Sequence, residues 1–271
     1  MKTLFHHVLI FDHQCPLCKT YTGVFIKAGL LESKGLKPYN EIEGENYTQL
    51  DLDRARNEIA LVNTQTGEVT YGLDSLLKIV GNGIPLLKPV FETSAFQWFF
   101  RRLYKFISFN RKVIIPTDAN TDRCIPDVNV KYRWVFIVFA WLVTSLVLTH
   151  YSAHLAGLIP VSRFFREFMI CGGQILFQGV LMNFIAKPIT LDYLGNMMTI
   201  SLAGSLVLLV GEGVCRLCHV TSPLVYAAIF MGTAGLMLLE HLRRMKLLHL
   251  PLLASLGWVV YRIIVLIIIT L

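Results

Sequence analysis

Cys15 and Cys18 are the residues of this chain whose type and spacing most directly suggest chemistry. They are separated by two residues and follow Asp12, which ends the short apolar run 8–11. The run predicts a buried parallel strand, and the spacing of apolar residues after it predicts a helix from about Cys15 to Gly29. A helix N-terminus stabilises a thiolate, and a cysteine one turn later can resolve a mixed disulfide. The pattern therefore predicts thiol–disulfide exchange, with Cys15 as the nucleophile and Cys18 as the resolving thiol.

The neighbours of this pair predict its reactivity. Lys19 and the helix N-terminus are expected to hold the pKa of Cys15 below the ~8.5 of a free thiol. Cys18 is expected to be less exposed and less reactive. Asp12 has two interpretations that the spacing does not separate: a cap that accepts backbone N–H groups, or a proton acceptor for the cysteines.

Zinc binding is the main alternative for a single CxxC pair, and inert cysteines are the other. A structural zinc site takes four ligands, commonly from a second pair at similar spacing. No second CxxC or HxxxH pattern lies in the first 130 residues. The sequence therefore favours redox chemistry, and it assigns no metal site.

The acid and the two cysteines, placed after a strand, resemble the DCC family of predicted thiol–disulfide oxidoreductases, which is named for those three residues. Residues 69–76, VTYGLDSL, are similar to the family's strand and Gly-x-x-(Ala/Ser)-Leu segment. Residues 103–111, LYKFISFNR, are similar to its closing Tyr…Asn-Arg helix. The resemblance covers about residues 5–112 and implies a thioredoxin-like fold. His13-Gln14 departs from the family pattern, which has Gly-Asp or Gly-Glu after the acid.

The remaining elements predicted for the first domain agree with that fold. They are a strand at 35–40, a helix at 46–56, a hairpin of 58–62 with 68–71, a helix at 73–80 and a helix at 91–109. The order β-α-β-α-β-β-α is that of a thioredoxin-like fold, and it predicts an α/β domain over residues 1–112. The basic face of the last helix has two open interpretations, a solvated surface or contact with a membrane. No proline lies near Asn57, where that fold usually has a cis-proline, so substrate docking by such a proline is not expected.

Composition divides the chain sharply. Residues 1–133 hold 17 Lys and Arg and 14 Asp and Glu, whereas residues 134–271 hold only 8 and 4. A segment so poor in charge predicts an all-α transmembrane domain over 134–271, joined to the first domain by a linker at 113–133. The net charge of +7 is concentrated beside apolar segments, so it does not indicate nucleic-acid binding.

About five membrane spans are predicted, each near the ~20 residues that cross a bilayer. They are 134–151, 168–186, 194–211, 223–239 and 250–271. Basic residues flank these spans with a modest bias, and the N-terminus carries no signal-peptide pattern. We therefore expect a multi-pass protein of a bacterial inner membrane, with the N-terminal domain cytoplasmic. The lipid bilayer is the partner that this half implies.

Further cysteines lie in and before the membrane half. Cys215 and Cys218 form a second CxxC, which His219 extends to the c-type haem pattern CxxCH. The interpretations left open are a second redox pair, a haem attachment site and unreactive cysteines. Cys124 lies in the linker, and Cys171 belongs to a polar stripe on the second span.

The polar stripe and one arginine are the remaining candidates for function in the membrane half. The stripe consists of Glu167, Cys171, Gln174 and Gln178. Helix–helix hydrogen bonding and a pocket for a polar headgroup such as a quinone both fit this stripe. Arg262, near the middle of the last span, either snorkels, pairs or marks a site.

The function predicted from these observations is a membrane-anchored thiol–disulfide oxidoreductase that acts on a protein or small-molecule disulfide. Its cofactors are its own cysteines, and no other is assigned. Two CxxC pairs on opposite sides of a membrane also suggest that reducing equivalents are passed from one pair to the other across the membrane. The alternative is a transporter or scaffold protein whose thioredoxin-like domain senses redox state.

Overall fold

The computed structural model describes residues 2–42, 47–116, 127–162 and 165–270. The chain divides into two compact units, Met1–Tyr132 and Arg133–Leu271. The linker predicted at 113–133 falls largely outside the described residues or inside helices. Its Cys124 lies outside the described residues, so nothing follows about that thiol.

A four-stranded mixed sheet organises the N-terminal unit. Its strands are β1 (His7–Phe11), β2 (Leu36–Pro38), β3 (Ala60–Asn63) and β4 (Val69–Tyr71), in the spatial order β2-β1-β3-β4. β1 is parallel to β2 and antiparallel to β3, and β3 is antiparallel to β4. The predicted hairpin is confirmed. Its turn is held by the side chain of Asn63, which accepts hydrogen bonds from the N–H groups of Gln65 and Thr66.

Helices cover both faces of this sheet. They are α1 (Pro16–Lys27), α2 (Leu52–Asn57), α3 (Leu73–Gly83), α4 (Lys88–Phe91) and α5 (Ser94–Ile114). On one face Leu9 and Leu61 pack with Phe25 of α1 and Ile79 of α3. On the other face Ile10, Ala60 and Val62 pack with Ala55 of α2. The central strands are therefore buried on both sides, which explains why β1 has a continuous apolar sequence.

The helix predicted at 46–56 forms over its second half, 52–56, and is wrong over 47–51. α2 begins only at Leu52, because the side chain of Asp51 accepts a hydrogen bond from the N–H of Arg54 at 3.0 Å and caps the helix there. Residues 43–46 lie outside the described residues. The helix predicted at 91–109 corresponds to α5, which begins at Ser94 because Thr93 before it has an extended backbone, and which continues to Ile114.

The second unit is helical. Its helices are α6 (Val130–Tyr151, which begins in the last residues of the first unit), α7 (Arg166–Ala186), α8 (Thr190–Leu217), α9 (Pro223–Leu247) and α10 (Leu252–Thr270). Within the described residues, four stretches are long and apolar enough to cross a membrane: Val130–Leu155, Arg166–Leu217, Pro223–Leu247 and Leu252–Thr270. These stretches indicate a membrane protein.

The stretch Arg166–Leu217 contains two of the five predicted spans. Its 52 residues would extend ~78 Å as one straight helix, against a hydrocarbon core of ~30 Å. The helix is interrupted at Lys187–Ile189 by a short 3₁₀ turn, and Ala186 leaves the helical backbone conformation there. α7 and α8 then pack against each other as a helical hairpin.

Two basic residues that lie outside the predicted spans, one before the first span and one between the fourth and fifth, are inside helices. Arg133 lies in α6 and pairs with Asp192 at 3.1 Å, with 3% of its side chain exposed. α9 continues to Leu247, so Arg244 is helical as well; it pairs with Glu240 at 2.7 Å and donates to Asn196 at 2.9 Å. These arginines hold helices together, which a count of loop charges does not reveal.

Candidate thiol–disulfide site

The end of β1 and the start of α1 place Cys15 as predicted. Pro16 is the first residue of α1, where a missing N–H costs nothing, and Cys15 is the extended residue before it. The carboxylate Oδ1 of Asp12 accepts hydrogen bonds from the N–H groups of Gln14 at 3.1 Å and Cys15 at 3.3 Å. Asp12 therefore fixes the turn between strand and helix, as the capping interpretation expects.

The other carboxylate oxygen of Asp12 is bound by an arginine from the far end of the unit. Arg111 in α5 donates to Asp12 Oδ2 at 3.2 Å, and only 6% and 2% of the two side chains are exposed. Arg111 also donates to the carbonyl oxygen of Arg56 at 3.1 Å. Both oxygens of Asp12 thus have partners, which favours a positioning role over proton transfer.

The two cysteine thiols have opposite acidities. A hydrogen bond from Cys18 is the largest cause that lowers the pKa of Cys15, to about 6, against the opposing effect of burial; the charge of Arg111 adds to the lowering. The same hydrogen bond and burial raise the pKa of Cys18. The direction for Cys15 is the one predicted, but its cause is not Lys19, whose side chain is exposed.

Two tyrosines lie near the cysteine pair. Tyr21, one turn after Cys18, donates its hydroxyl to Cys18 Sγ at 3.4 Å. Tyr104 accepts a hydrogen bond from the N–H of Ile59 at 3.2 Å, and burial raises the pKa of both phenols. Neither phenol therefore ionises at neutral pH, and Tyr21 acts as a hydrogen-bond donor to sulfur.

The burial of the two cysteines and the ligand atoms near them complete the description of the site. Cys15 and Cys18 are both free and buried, with 5% and 3% of each residue exposed. Within the part of the chain that the structure describes, no group of three close His, Cys, Asp or Glu ligand atoms includes either cysteine. A structural zinc ion needs such further ligands.

The two cysteines of the second predicted pair differ in exposure. Cys215 is buried near the end of α8 with Tyr151 and Tyr226, whereas Cys218 is exposed at the C-terminal cap of that helix. His219, which completes the CxxCH pattern, follows in a left-handed conformation with φ of 55°. A second redox pair at Cys215 and Cys218 stays a prediction.

The polar stripe of α7 faces the interior of the helical unit. Glu167, Gln174 and Gln178 are buried, and Cys171 is half-buried. Cys171 and Gln174 line a cavity of about 40 Å³ that Arg262 also lines. A cavity of this size holds a few water molecules, so a quinone ring would require the helices to move apart.

Arg111 is the functional candidate that the sequence reasoning missed. It lies 99 residues from Asp12, and the resemblance of its segment to a family pattern assigns no role to the guanidinium. A signal existed: Asp12 follows a strand buried on both faces, so its charge requires a buried cation. Local spacing could not show which arginine supplies it.

Comparison with known proteins adds no assignment, since no family model, curated protein or solved structure matches this chain.

Proposed function

We propose that the N-terminal unit is a thioredoxin-like domain of the DCC type and that the protein is a membrane-anchored thiol–disulfide oxidoreductase. The observation that carries this proposal is the placement of Cys15 at the start of α1, hydrogen-bonded to Cys18, an arrangement that lowers the pKa of the Cys15 thiol. A thiol with a pKa of about 6 is mostly thiolate at neutral pH, and the thiolate is the attacking species.

The positions of the three segments that resemble the family support this assignment. Gly72 has φ of 59°, and a side chain there would meet Tyr104, the tyrosine of the closing helix. Arg111 of that helix binds Asp12, the acid of the first segment. Each segment therefore contributes a residue to one connected region, in the order β-α-β-α-β-β-α that a thioredoxin-like fold has.

The proposed reaction is a two-step exchange. The Cys15 thiolate attacks one sulfur of a substrate disulfide, the substrate S–S bond breaks, and the released thiolate takes a proton from solvent. Cys18 then loses its proton and attacks Cys15 Sγ, which releases the second substrate thiol and leaves a Cys15–Cys18 disulfide. The substrate gains two electrons, and the protein loses two. The reverse sequence would oxidise a substrate dithiol.

The raised pKa of Cys18 means that this residue is protonated during the first step and must lose its proton for the second. Cys18 is a thiol in the resting protein, so it donates the hydrogen bond that stabilises the Cys15 thiolate. Once Cys15 is in a mixed disulfide, its negative charge is gone and the pKa of Cys18 falls. Resolution therefore follows attack and does not compete with it.

A disulfide reductase assay on the full-length protein in detergent tests the proposal. Turnover of a model disulfide should require Cys15 and Cys18 and persist in Cys218→Ser, the matched control at the second pair. Mixed disulfides trapped with Cys18→Ser and identified by mass would name the substrates. Wild-type activity in Cys15→Ser would refute the assignment.

The alternative function, a transporter or scaffold with a redox-sensing domain, is favoured by one observation in the helical unit. Gln174 is 6% exposed and its Nε2 has no hydrogen-bond partner among the described residues, while Arg262 stacks on Trp258 at 4.4 Å without an acidic partner there. Such polar groups in a membrane segment commonly mark a pathway or binding site. Transport that stops on Arg262→Met while reductase turnover continues would support this alternative.

A further inference from the structure

A cluster of two histidines and a glutamate lies within the helical unit. His150 is the penultimate residue of α6, His154 lies in the 3₁₀ turn that follows, and Glu212 lies near the end of α8. The possible ligand atoms of the three side chains all lie within 4.8 Å of one another. His150 and His154 have the HxxxH spacing in the sequence, but Glu212 is separated from His150 by 62 residues and could not be assigned to them.

Three nitrogen atoms crowd one oxygen of this cluster. Glu212 Oε1 lies 2.9 Å from His150 Nε2 and 3.1 Å from His154 Nε2. The guanidinium Nη2 of Arg216 lies 2.5 Å from the same oxygen and 3.4 Å from His150 Nε2. A carboxylate oxygen offers about two lone pairs, so it cannot accept good hydrogen bonds from all three nitrogen atoms.

We propose that His150, His154 and Glu212 bind a divalent transition-metal ion. Without the ion, the guanidinium of Arg216 neutralises Glu212, and the entering ion displaces it. Ligand atoms about 2.0 Å from a tetrahedral ion lie ~3.3 Å apart, close to the separations between Glu212 Oε1 and the two imidazole nitrogens. Two imidazoles and one carboxylate form the ligand set of open zinc sites and of non-haem iron sites. A fourth position remains for water or a substrate.

The surroundings favour a cation and hold the ligands in place. α6 ends at Tyr151 and α8 ends at Leu217, so two helix C-termini, each with a partial negative charge, lie close to the cluster. The imidazole of His154 stacks on Tyr226 with ring centroids 4.4 Å apart and planes within 6°. Glu212 is buried, with 4% of its side chain exposed, so its charge requires a compensating cation.

Exposure gives the ion a route of entry. His150 is 54% exposed and the Arg216 side chain is 62% exposed, whereas Glu212 behind them is buried. Arg216 has a long, flexible side chain at the surface and can leave without uncovering apolar core. An entering dication would replace its charge, release the crowding at Glu212 Oε1 and take the lone pairs of both imidazoles.

Titration of the full-length protein with Zn²⁺ tests this site. The background is Cys15→Ser with Cys18→Ser, which removes the thiol pair of the other unit as a competing ligand. We expect one saturable Zn²⁺ and no competition by Mg²⁺. His150→Ala, whose side chain is half-exposed and should be tolerated by the fold, should weaken binding at least ~10-fold, as should His154→Ala and Glu212→Gln. His249→Ala is the matched histidine control and should leave the affinity unchanged.

Two further measurements test the role of Arg216 and the identity of the ligands. Arg216→Ala should raise the Zn²⁺ affinity several-fold, because it removes the competing cation; a lower affinity would overturn the displacement. Co²⁺ bound in place of zinc should show no thiolate charge-transfer absorption, and such a band would mean ligation by Cys215 or Cys218 instead. Absence of saturable binding, or binding unaffected by the three ligand substitutions, would refute the site.

Discussion

Arg111 Nη2 donates to Asp12 Oδ2 across 3.2 Å and so ties the last turns of α5 to the end of β1. The pair is buried, and the opposite carboxylate oxygen holds the turn that carries Cys15. The position of the nucleophile therefore depends on a residue from the other end of the unit. Each consequence of this arrangement can be measured.

Arg111→Met should disturb both stability and reactivity. Removing one partner of a buried ion pair typically costs about 3–5 kcal/mol, because the remaining charge is left without compensation. The substitution also removes a positive charge that lowers the pKa of Cys15, so that pKa should rise. Protease sensitivity and the pH midpoint of Cys15 alkylation measure the two effects.

Arg111→Lys and Arg102→Met complete that test. Lysine keeps the positive charge, so Arg111→Lys should retain much of the lowered pKa of Cys15. It provides the measurement if Arg111→Met does not fold. Arg102 lies on the exposed side of the same helix, so Arg102→Met should change neither quantity. Equal behaviour of the Arg111 and Arg102 variants would mean that the buried pair does not influence the cysteines.

The pH dependence of Cys15 alkylation should show whether Cys18 is the principal cause of its low pKa. In the reduced protein the rate should rise through a midpoint near pH 6 and level off above it. Cys18→Ala removes the hydrogen-bond donor and should move the midpoint upward, whereas Cys18→Ser keeps a donor and should move it less. Identical midpoints for the alanine and serine variants would contradict this cause.

The same pKa shift predicts a stability effect with a definite sign. Because the folded pKa of Cys15 is lowered, unfolding takes up a proton between pH 6 and the value of an unfolded thiol. The contribution of Cys15 to stability is therefore full above the unfolded pKa and is lost as the pH falls through about 6. Thermal unfolding of reduced wild type and Cys15→Ser across this range should diverge as the pH rises.

Tyr21→Phe should slow the resolving step and leave the first attack nearly unchanged. The Tyr21 hydroxyl donates to Cys18 Sγ and lowers the pKa of Cys18, so its loss leaves Cys18 a weaker acid. A neutral hydrogen bond is worth about 0.5–1.5 kcal/mol, which corresponds to a two- to tenfold longer lifetime of the mixed disulfide. Quenched-flow trapping measures that lifetime. An unchanged lifetime would exclude Tyr21 from resolution.

Membrane topology can be tested with reporters at the two ends of the helical unit. Five crossings would place the C-terminus on the side opposite to the N-terminal unit. With that unit in the cytoplasm, a reporter fused after residue 271 should be active only if it is of a type that works outside the cytoplasm. A second reporter, inserted in the turn at Lys187–Ile189, tests whether α7 and α8 are two separate crossings. Cytoplasmic activity after residue 271 would mean an even number of crossings.

The relay between the two cysteine pairs makes a separate prediction. Thiol exchange needs sulfur contact, and the hydrocarbon core is ~30 Å thick, so a relay requires a moving element, a quinone or a partner protein. Replacing Cys215 and Cys218 with serine should then shift the in-cell redox state of Cys15 and Cys18. An unchanged state in a protein that still inserts would show that the pairs are uncoupled.

The sequence predicted the strands, the hairpin and the position of Cys15 because these depend on local spacing. A short apolar run, a Gly-containing turn and Pro16 each act within a few residues. The start of α2 was missed because one cap, Asp51, outweighed a polar stretch with helical character. Arg111 with Asp12, and His150 with Glu212, could not be predicted, because tertiary packing brings together residues far apart in the chain.

Because Asp12 and Arg111 form a buried ion pair, the net charge of the proposed site depends on the redox state of its cysteines. With Cys15 as a thiolate, two negative charges share one guanidinium; in a Cys15–Cys18 disulfide, the carboxylate and guanidinium balance. Oxidation therefore removes one negative charge from beneath the surface of the unit. A partner with a basic face would bind the reduced form more tightly than the oxidised form, and added salt would weaken that preference. Release of such a partner after electron transfer would then need no change of shape.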